Sequence, residues 1–278
     1  MTDTSVLLAA RTLLFVPGAR PDRFAKAAAA GADLIVLDLE DAVAPADKDA
    51  ARAAVSEWLA GGGGGIVRIN APGTAWYAED VAAVAAVTAV AGSGAPVMLP
   101  KAQDPSEVAD LVAALGAGAA VVPLIETALG IHRAVEVCAV PGVVRPGFGS
   151  VDLSAELGID PVDREALRYA RSALVLAARA AGVAAPVEGV TTAVKDEELL
   201  LADCAHALSL GFTAKMCIHP SQVTPVSVAF SPTAEQIEWA HGVVAASAGG
   251  GVSVFEGKMI DKPVVDRARG ILLRAGEG

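Results

Sequence analysis

A chain of 278 residues with 32 acidic and 21 basic side chains carries a formal charge of −11, which argues against nucleic acid or an anionic membrane as its main partner. Its composition is 54% hydrophobic but only 4% aromatic, so alanine-rich, closely packed helices are expected around a sizeable core. Cys138, Cys204 and Cys217 fall in no zinc or disulfide spacing, and no uninterrupted apolar run is long enough to span a bilayer, so a soluble cytoplasmic protein with reduced thiols is expected. The opening MTDTSVLLAARTLLFVPG has no basic stretch ahead of its apolar residues and reads as the lead-in to a strand.

From there the chain alternates strand and helix. Apolar β runs are predicted at 12–16, 33–37, 66–70, 96–99, 121–125, 143–149, 187–190 and 213–218. Helices are predicted at 21–30, 47–59, 76–90, 105–115, 163–181, 196–210 and 235–246, with a further one between the strands at 121–125 and 143–149. About eight βα units without a break in composition point to a (β/α)8 TIM barrel over residues 1–248. The glycine run 249–251 then reads as a hinge into a C-terminal lid, 249–278, ending in a helix over 264–274.

The candidate chemistry lies where strands end, because parallel α/β folds bind ligands past the carboxyl ends of their strands. Glu126 follows the apolar run VVPLI, and Asp152 follows a turn after VVRPGFG. Two carboxylates at successive exits suit Mg²⁺, which takes one or two protein carboxylates and leaves other positions to water and substrate. The bland alternative makes each acid an N-terminal residue of the next helix. Asp38, Glu40 and Asp41 crowd another exit, with Glu40 and Asp41 as candidates around metal-bound water. Arg68, in the strand IVRIN, either neutralises these acids or forks a substrate carboxylate, the clamp being favoured. Lys101, in MLPKAQ, stands where an imine-forming lysine would stand in a metal-independent aldolase, but a metal makes that chemistry redundant and a substrate-positioning role is expected. Gly149 would let backbone amides approach a ligand. His219 reads as a strand-end residue bonded locally, and Cys217 as core.

The segments RTLLFVPG, DLIVLDLEDAV, IVRIN, MLPKA, PLIET, GFGSVDLSAELG, CIHPSQ and FEGKMIDKP occur in this order over nearly the whole chain. Together they resemble the citrate lyase β-subunit-like proteins, a family within the aldolase/citrate lyase superfamily that includes malyl-CoA and citramalyl-CoA lyases. The resemblance implies a homotrimeric barrel with Mg²⁺ on Glu126 and Asp152, and Arg68 on the substrate carboxylate. It also implies Arg20 and Lys26 near the CoA phosphates, and Asp261 acting in a neighbouring subunit's site. The reaction implied is cleavage or formation of a 3-hydroxyacyl-CoA, giving a 2-oxo acid and an acyl-CoA. Alternatives are a malyl-CoA thioesterase or malate-synthase-like outcome, a CoA-independent 2-oxo acid aldolase, and a subunit of a citrate lyase complex. Two positions depart from the family pattern: Glu188, where Asp is frequent, and Ala214, where Gly precedes the lysine.

Overall fold

Eight parallel strands close on themselves in sequence order in the computed structural model, which describes residues 4–91, 94–247 and 253–277. They are β1 (Thr12–Pro17), β2 (Leu34–Asp38), β3 (Ile66–Arg68), β4 (Val97–Leu99), β5 (Val121–Ile125), β6 (Gly147–Phe148), β7 (Val187–Glu188) and β8 (Ala214–Cys217). The barrel closes where β1 pairs with β8, Leu13 opposite Met216. The α-helices up to Phe230 are α1 (Thr4–Ala9), α2 (Phe24–Ala28), α3 (Lys48–Ala60), α4 (Tyr77–Ala91), α5 (Pro105–Leu115), α6 (Ala128–His132), α7 (Ala134–Cys138), α8 (Ser150–Leu157), α9 (Arg168–Ala181), α10 (Glu197–Leu210) and α11 (Val223–Phe230). None of the described helices is long and apolar enough to cross a membrane.

Alternation builds the interior. Leu13, Leu34, Val36, Ile66, Met98, Val122, Leu124, Val187, Ala214 and Met216 form one buried cluster inside the barrel, while their strand neighbours face the helices. Leu7 and Ala10 belong to the same cluster. The segment expected to lead straight into a strand is therefore the helix α1, which sends Leu7 into the barrel's amino-terminal end. Arg145, fully buried, fixes it there: Nη1 donates to the carbonyls of Leu7 (3.0 Å) and Ala10 (2.9 Å). Its Nε and Nη2 donate to Ala185 O, and Nη2 also to Thr213 Oγ1.

Several boundaries differ from expectation for physical reasons. The run 143–149 yields only the two residues of β6, with Val143 making an isolated bridge to Val121. Pro146 interrupts the ladder because it has no N–H to donate. The helix expected over 163–181 starts at Arg168, after turns in which Asp160 and Asp163 accept the N–H groups of Val162 and Glu165. Asp152 lies not in a loop but in the first turn of α8.

Val228–Gly278 forms a second compact unit. It contains α12 (Ala234–Ala246), an antiparallel hairpin of β9 (Ser253–Phe255) and β10 (Lys258–Ile260), and α13 (Lys262–Ala275). Its core is Ala240, Val243, Ile260, Ala268, Ile271 and Leu272, so α12 packs with the C-terminal helix in this unit. Glu256 and Gly257 both have positive φ (49° and 72°), the backbone of a two-residue hairpin turn. The hinge expected at 249–251 lies outside the described residues.

Candidate active site

The alternation that fills the core also selects what emerges above it. Val36 precedes Asp38 by two residues, Ile66 precedes Arg68, and Leu124 precedes Glu126, so each polar side chain continues an interior row at the carboxyl end of its strand.

Asp38 and Arg68 are register partners across β2 and β3. Arg68 Nε donates to Asp38 Oδ1 and Nη2 to Oδ2, both at 2.7 Å. Nη1 lies 2.9 Å from Glu40 Oε2 and 3.9 Å from Asp41 Oδ2, and the Phe15 ring lies 4.8 Å from the guanidinium carbon. The bidentate fork is therefore engaged by Asp38, and Nη1 is the edge shared with Glu40. Burial works against the guanidinium charge, but the hydrogen bond and charge of Asp38 outweigh it and its pKa is raised.

On the far side, Glu126 is 2% exposed and accepts the backbone N–H of Lys101 through Oε1 at 2.8 Å. The Lys101 ammonium lies 3.0 Å from Asp152 Oδ1, 3.7 Å from Glu40 Oε1 and 4.0 Å from Glu126 Oε1. Three acids from the β2, β5 and β6 exits thus lie around the Lys101 ammonium. Burial, reinforced by the charge of Asp152, raises the Glu126 carboxyl to about 8; burial, partly offset by Arg68, raises Glu40 to about 7. For Lys101, burial is outweighed by the hydrogen bond from its ammonium to Asp152 and by the charge of Glu126, so its pKa is raised.

This arrangement fits a hard divalent cation. The acids already face a positive charge, and burial of Glu126 is costly unless a cation meets it. Among the described residues no three His, Cys, Asp or Glu side chains group as ligands for a metal ion, so a cation here would take the Glu126 and Asp152 carboxylates and leave the rest of its shell open. Gly149 shapes the cradle: a Cβ there would collide with Cβ and Oε2 of Glu126. Gly149→Ala is expected to push Glu126 aside and weaken divalent-cation binding roughly 10–100-fold, as loss of a supporting group does, with isothermal titration as the check.

Lys48 has no obvious sequence signature beyond being a basic residue at a helix N-terminus, where acids are favoured. It is 6% exposed, and its ammonium donates to Leu39 O (2.7 Å), Glu40 O (2.7 Å) and Asn70 Oδ1 (2.6 Å). Asn70 donates through N and Nδ2 to Asp80 Oδ2, and Arg52 Nε donates to Asp80 Oδ1. Burial lowers the Lys48 pKa. Lys48 thus ties down the backbone at Glu40, whose carboxylate lies 2.9 Å from Arg68 Nη1.

The remaining candidates take other partners. Arg20 is exposed and paired in a fork with Asp22, at 2.9 and 2.8 Å. Lys26 is exposed on α2. Asp261 belongs to the C-terminal unit, where it is the N-cap of α13 and accepts from Val264 N at 3.4 Å. Glu188 is satisfied by Arg171, whose Nε and Nη2 donate to its two oxygens, and by the N–H of Gly189. Lys215, after Ala214, is buried and donates to Gly189 O at 2.6 Å. His219 accepts from Ser221 N as a local cap, and all three cysteines are buried and free.

Known proteins resemble this chain over nearly its whole length. A citrate lyase subunit beta-like protein of Mycobacterium tuberculosis is 42% identical over 271 residues, 95% of each chain. A (3S)-malyl-CoA thioesterase of Cereibacter sphaeroides is 38% identical over 280 residues, covering 95% of this chain and 94% of its own. The crystal structure of CitE from Mycobacterium tuberculosis in complex with magnesium, acetoacetate and coenzyme A superposes with a TM-score of 0.82 at 41% identity, covering 97% of this chain and 100% of that one. The family model for HpcH/HpaI aldolase/citrate lyase matches residues 11–220, and with that span and this identity the chain belongs to that family.

Proposed function

We propose that the protein is a Mg²⁺-dependent carbon–carbon lyase that cleaves or forms a 3-hydroxyacyl-CoA, yielding a 2-oxo acid and an acyl-CoA. The observation that carries this reading is the placing of Glu126, Asp152 and Glu40 around the Lys101 ammonium, beside Arg68. A similar structure holding magnesium, acetoacetate and coenzyme A supports it.

Glu126 and Asp152 would hold the ion, which supplies positive charge to the substrate's carboxylate and hydroxyl oxygens. Arg68, braced by Asp38, presents its Nη1 edge to the same carboxylate, and Lys101 lies across the site as a second cation. In cleavage a carboxylate base takes the hydroxyl proton as the carbon–carbon bond breaks, and the oxygen becomes the carbonyl of the 2-oxo acid. The electron pair passes to the thioester enolate, whose carbon then takes a proton. We assign that proton to Asp261 of a neighbouring copy in a homotrimer, with Arg20 and Lys26 meeting the CoA phosphates. Buried reduced thiols agree with a cytoplasmic location.

The test is product analysis with purified protein, Mg²⁺ and malyl-CoA. Glyoxylate and acetyl-CoA in equal amounts are expected. Malate with free CoA thiol would instead establish the thioesterase outcome named for the 38% identical relative, and no turnover of any free acyl-CoA would sink both readings.

A further inference from the structure

Lys101 is held to the site in two separable ways. Its backbone N–H donates to Glu126 Oε1 at 2.8 Å, and its φ of 51° is an unusual value for a residue with a side chain. Its ammonium independently bridges toward Asp152, Glu40 and Glu126 at 3.0, 3.7 and 4.0 Å. The side chain is 43% exposed, so a path from this position to solvent is open. A divalent cation bound to Glu126 and Asp152 would need the same oxygen atoms, and two cations sharing them within a few ångströms repel strongly.

We propose that Lys101 is an exchangeable counter-ion. Its ammonium and the divalent metal are alternative occupants of one carboxylate cluster, and metal entry drives the ammonium out to the barrel mouth while the backbone anchor stays in place. There it becomes a binding group for an anionic oxygen of the 2-oxo acid or thioester, so metal binds before substrate. The inference rests on the metal reading above and adds to it a defined movement of one side chain.

Three measurements on the full-length protein test it without turnover. Isothermal titration of wild type with MgCl2 establishes whether the metal binds at all. Acylation of Lys101 by an amine-reactive acetate ester, read by peptide mass spectrometry, is expected to accelerate several-fold in saturating MgCl2 relative to NaCl of equal ionic strength, with exposed Lys26 and Lys195 unchanged. Lys101→Met is expected to bind Mg²⁺ about tenfold more tightly than wild type, because a linked competitor has been removed, and to melt lower without metal. Heat on titration with unaltered or slowed Lys101 labelling overturns the exchange alone. Weaker Mg²⁺ binding by Lys101→Met also overturns it, since a rival cannot strengthen its competitor. Absence of heat in wild type overturns the metal reading and this proposal together.

Discussion

Glu126→Gln is expected to raise the melting temperature of the metal-free protein at pH 8 and to abolish its response to magnesium. The two effects have one cause. Burial raises the Glu126 carboxyl from 4.5 to about 8, so between those values the folded chain binds a proton that the unfolded chain has lost. Stability therefore falls as pH rises through this window, by up to a few kcal/mol. Glutamine keeps the shape and still accepts the Lys101 N–H, but it does not ionise, so this share of the slope disappears. Metal affinity should drop beyond the roughly 100-fold that loss of a mere supporting group costs, and turnover should fall with it. Thermal melts at pH 5 and pH 8, with and without MgCl2, give the comparison. A residue serving only to start a helix would behave oppositely, losing stability at pH 8 and leaving metal binding intact.

Asp261→Asn is expected to reduce turnover by about 10²–10⁴-fold, the range for a positioned acid or base, while Mg²⁺ affinity stays at the wild-type value. Asparagine is the informative replacement because Asp261 caps α13, and asparagine caps as well as aspartate does. Alanine would confound chemistry with fraying of the helix. Mixing Asp261→Asn with Glu126→Gln protein should restore activity if the acid serves a neighbouring copy. Random assortment gives about one-quarter of sites an intact barrel and an intact tail. No recovery, with subunit exchange confirmed by native mass spectrometry, would end the idea that Asp261 works across an interface.

Much of the fold was readable from residue order because the barrel makes position within a strand decisive. The apolar runs ending at Asp38, Arg68 and Glu126 announced both the strands and the face each polar residue shares with the core. What escaped depends on relations between elements. The register that sets Asp38 opposite Arg68, and so engages the guanidinium fork, is set by pairing across two strands. Lys48 acts on backbone carbonyls, which every residue possesses and no motif advertises. Asp152 reads from the sequence as an acid past the exit of the run 143–149, a position that fits a loop or a helix start equally well. The boundary between compact units falls at Ser227/Val228, ahead of α12, whereas composition pointed to the glycines farther on. An apolar helical stripe shows that a partner exists, not which partner it is. The Glu256-Gly257 turn carried a usable hairpin signal, since glycine readily supplies positive φ.

Arg145 bears on how the molecule comes into being. Leu7 and Ala10 leave the ribosome more than a hundred residues before the guanidinium that binds their carbonyls, and Thr213 follows later still. Until the last strand is made, the nascent chain holds an apolar helix with no docking site and an arginine with its acceptors incomplete. Barrel closure, the seating of the N-terminus and the desolvation of that charge must then occur nearly together. The family match begins at residue 11, so expressing only the matched span would remove α1 and strip two acceptors from a buried cation. Such a fragment is expected to collect in inclusion bodies, although every strand and every active-site side chain of the barrel lies within the retained sequence.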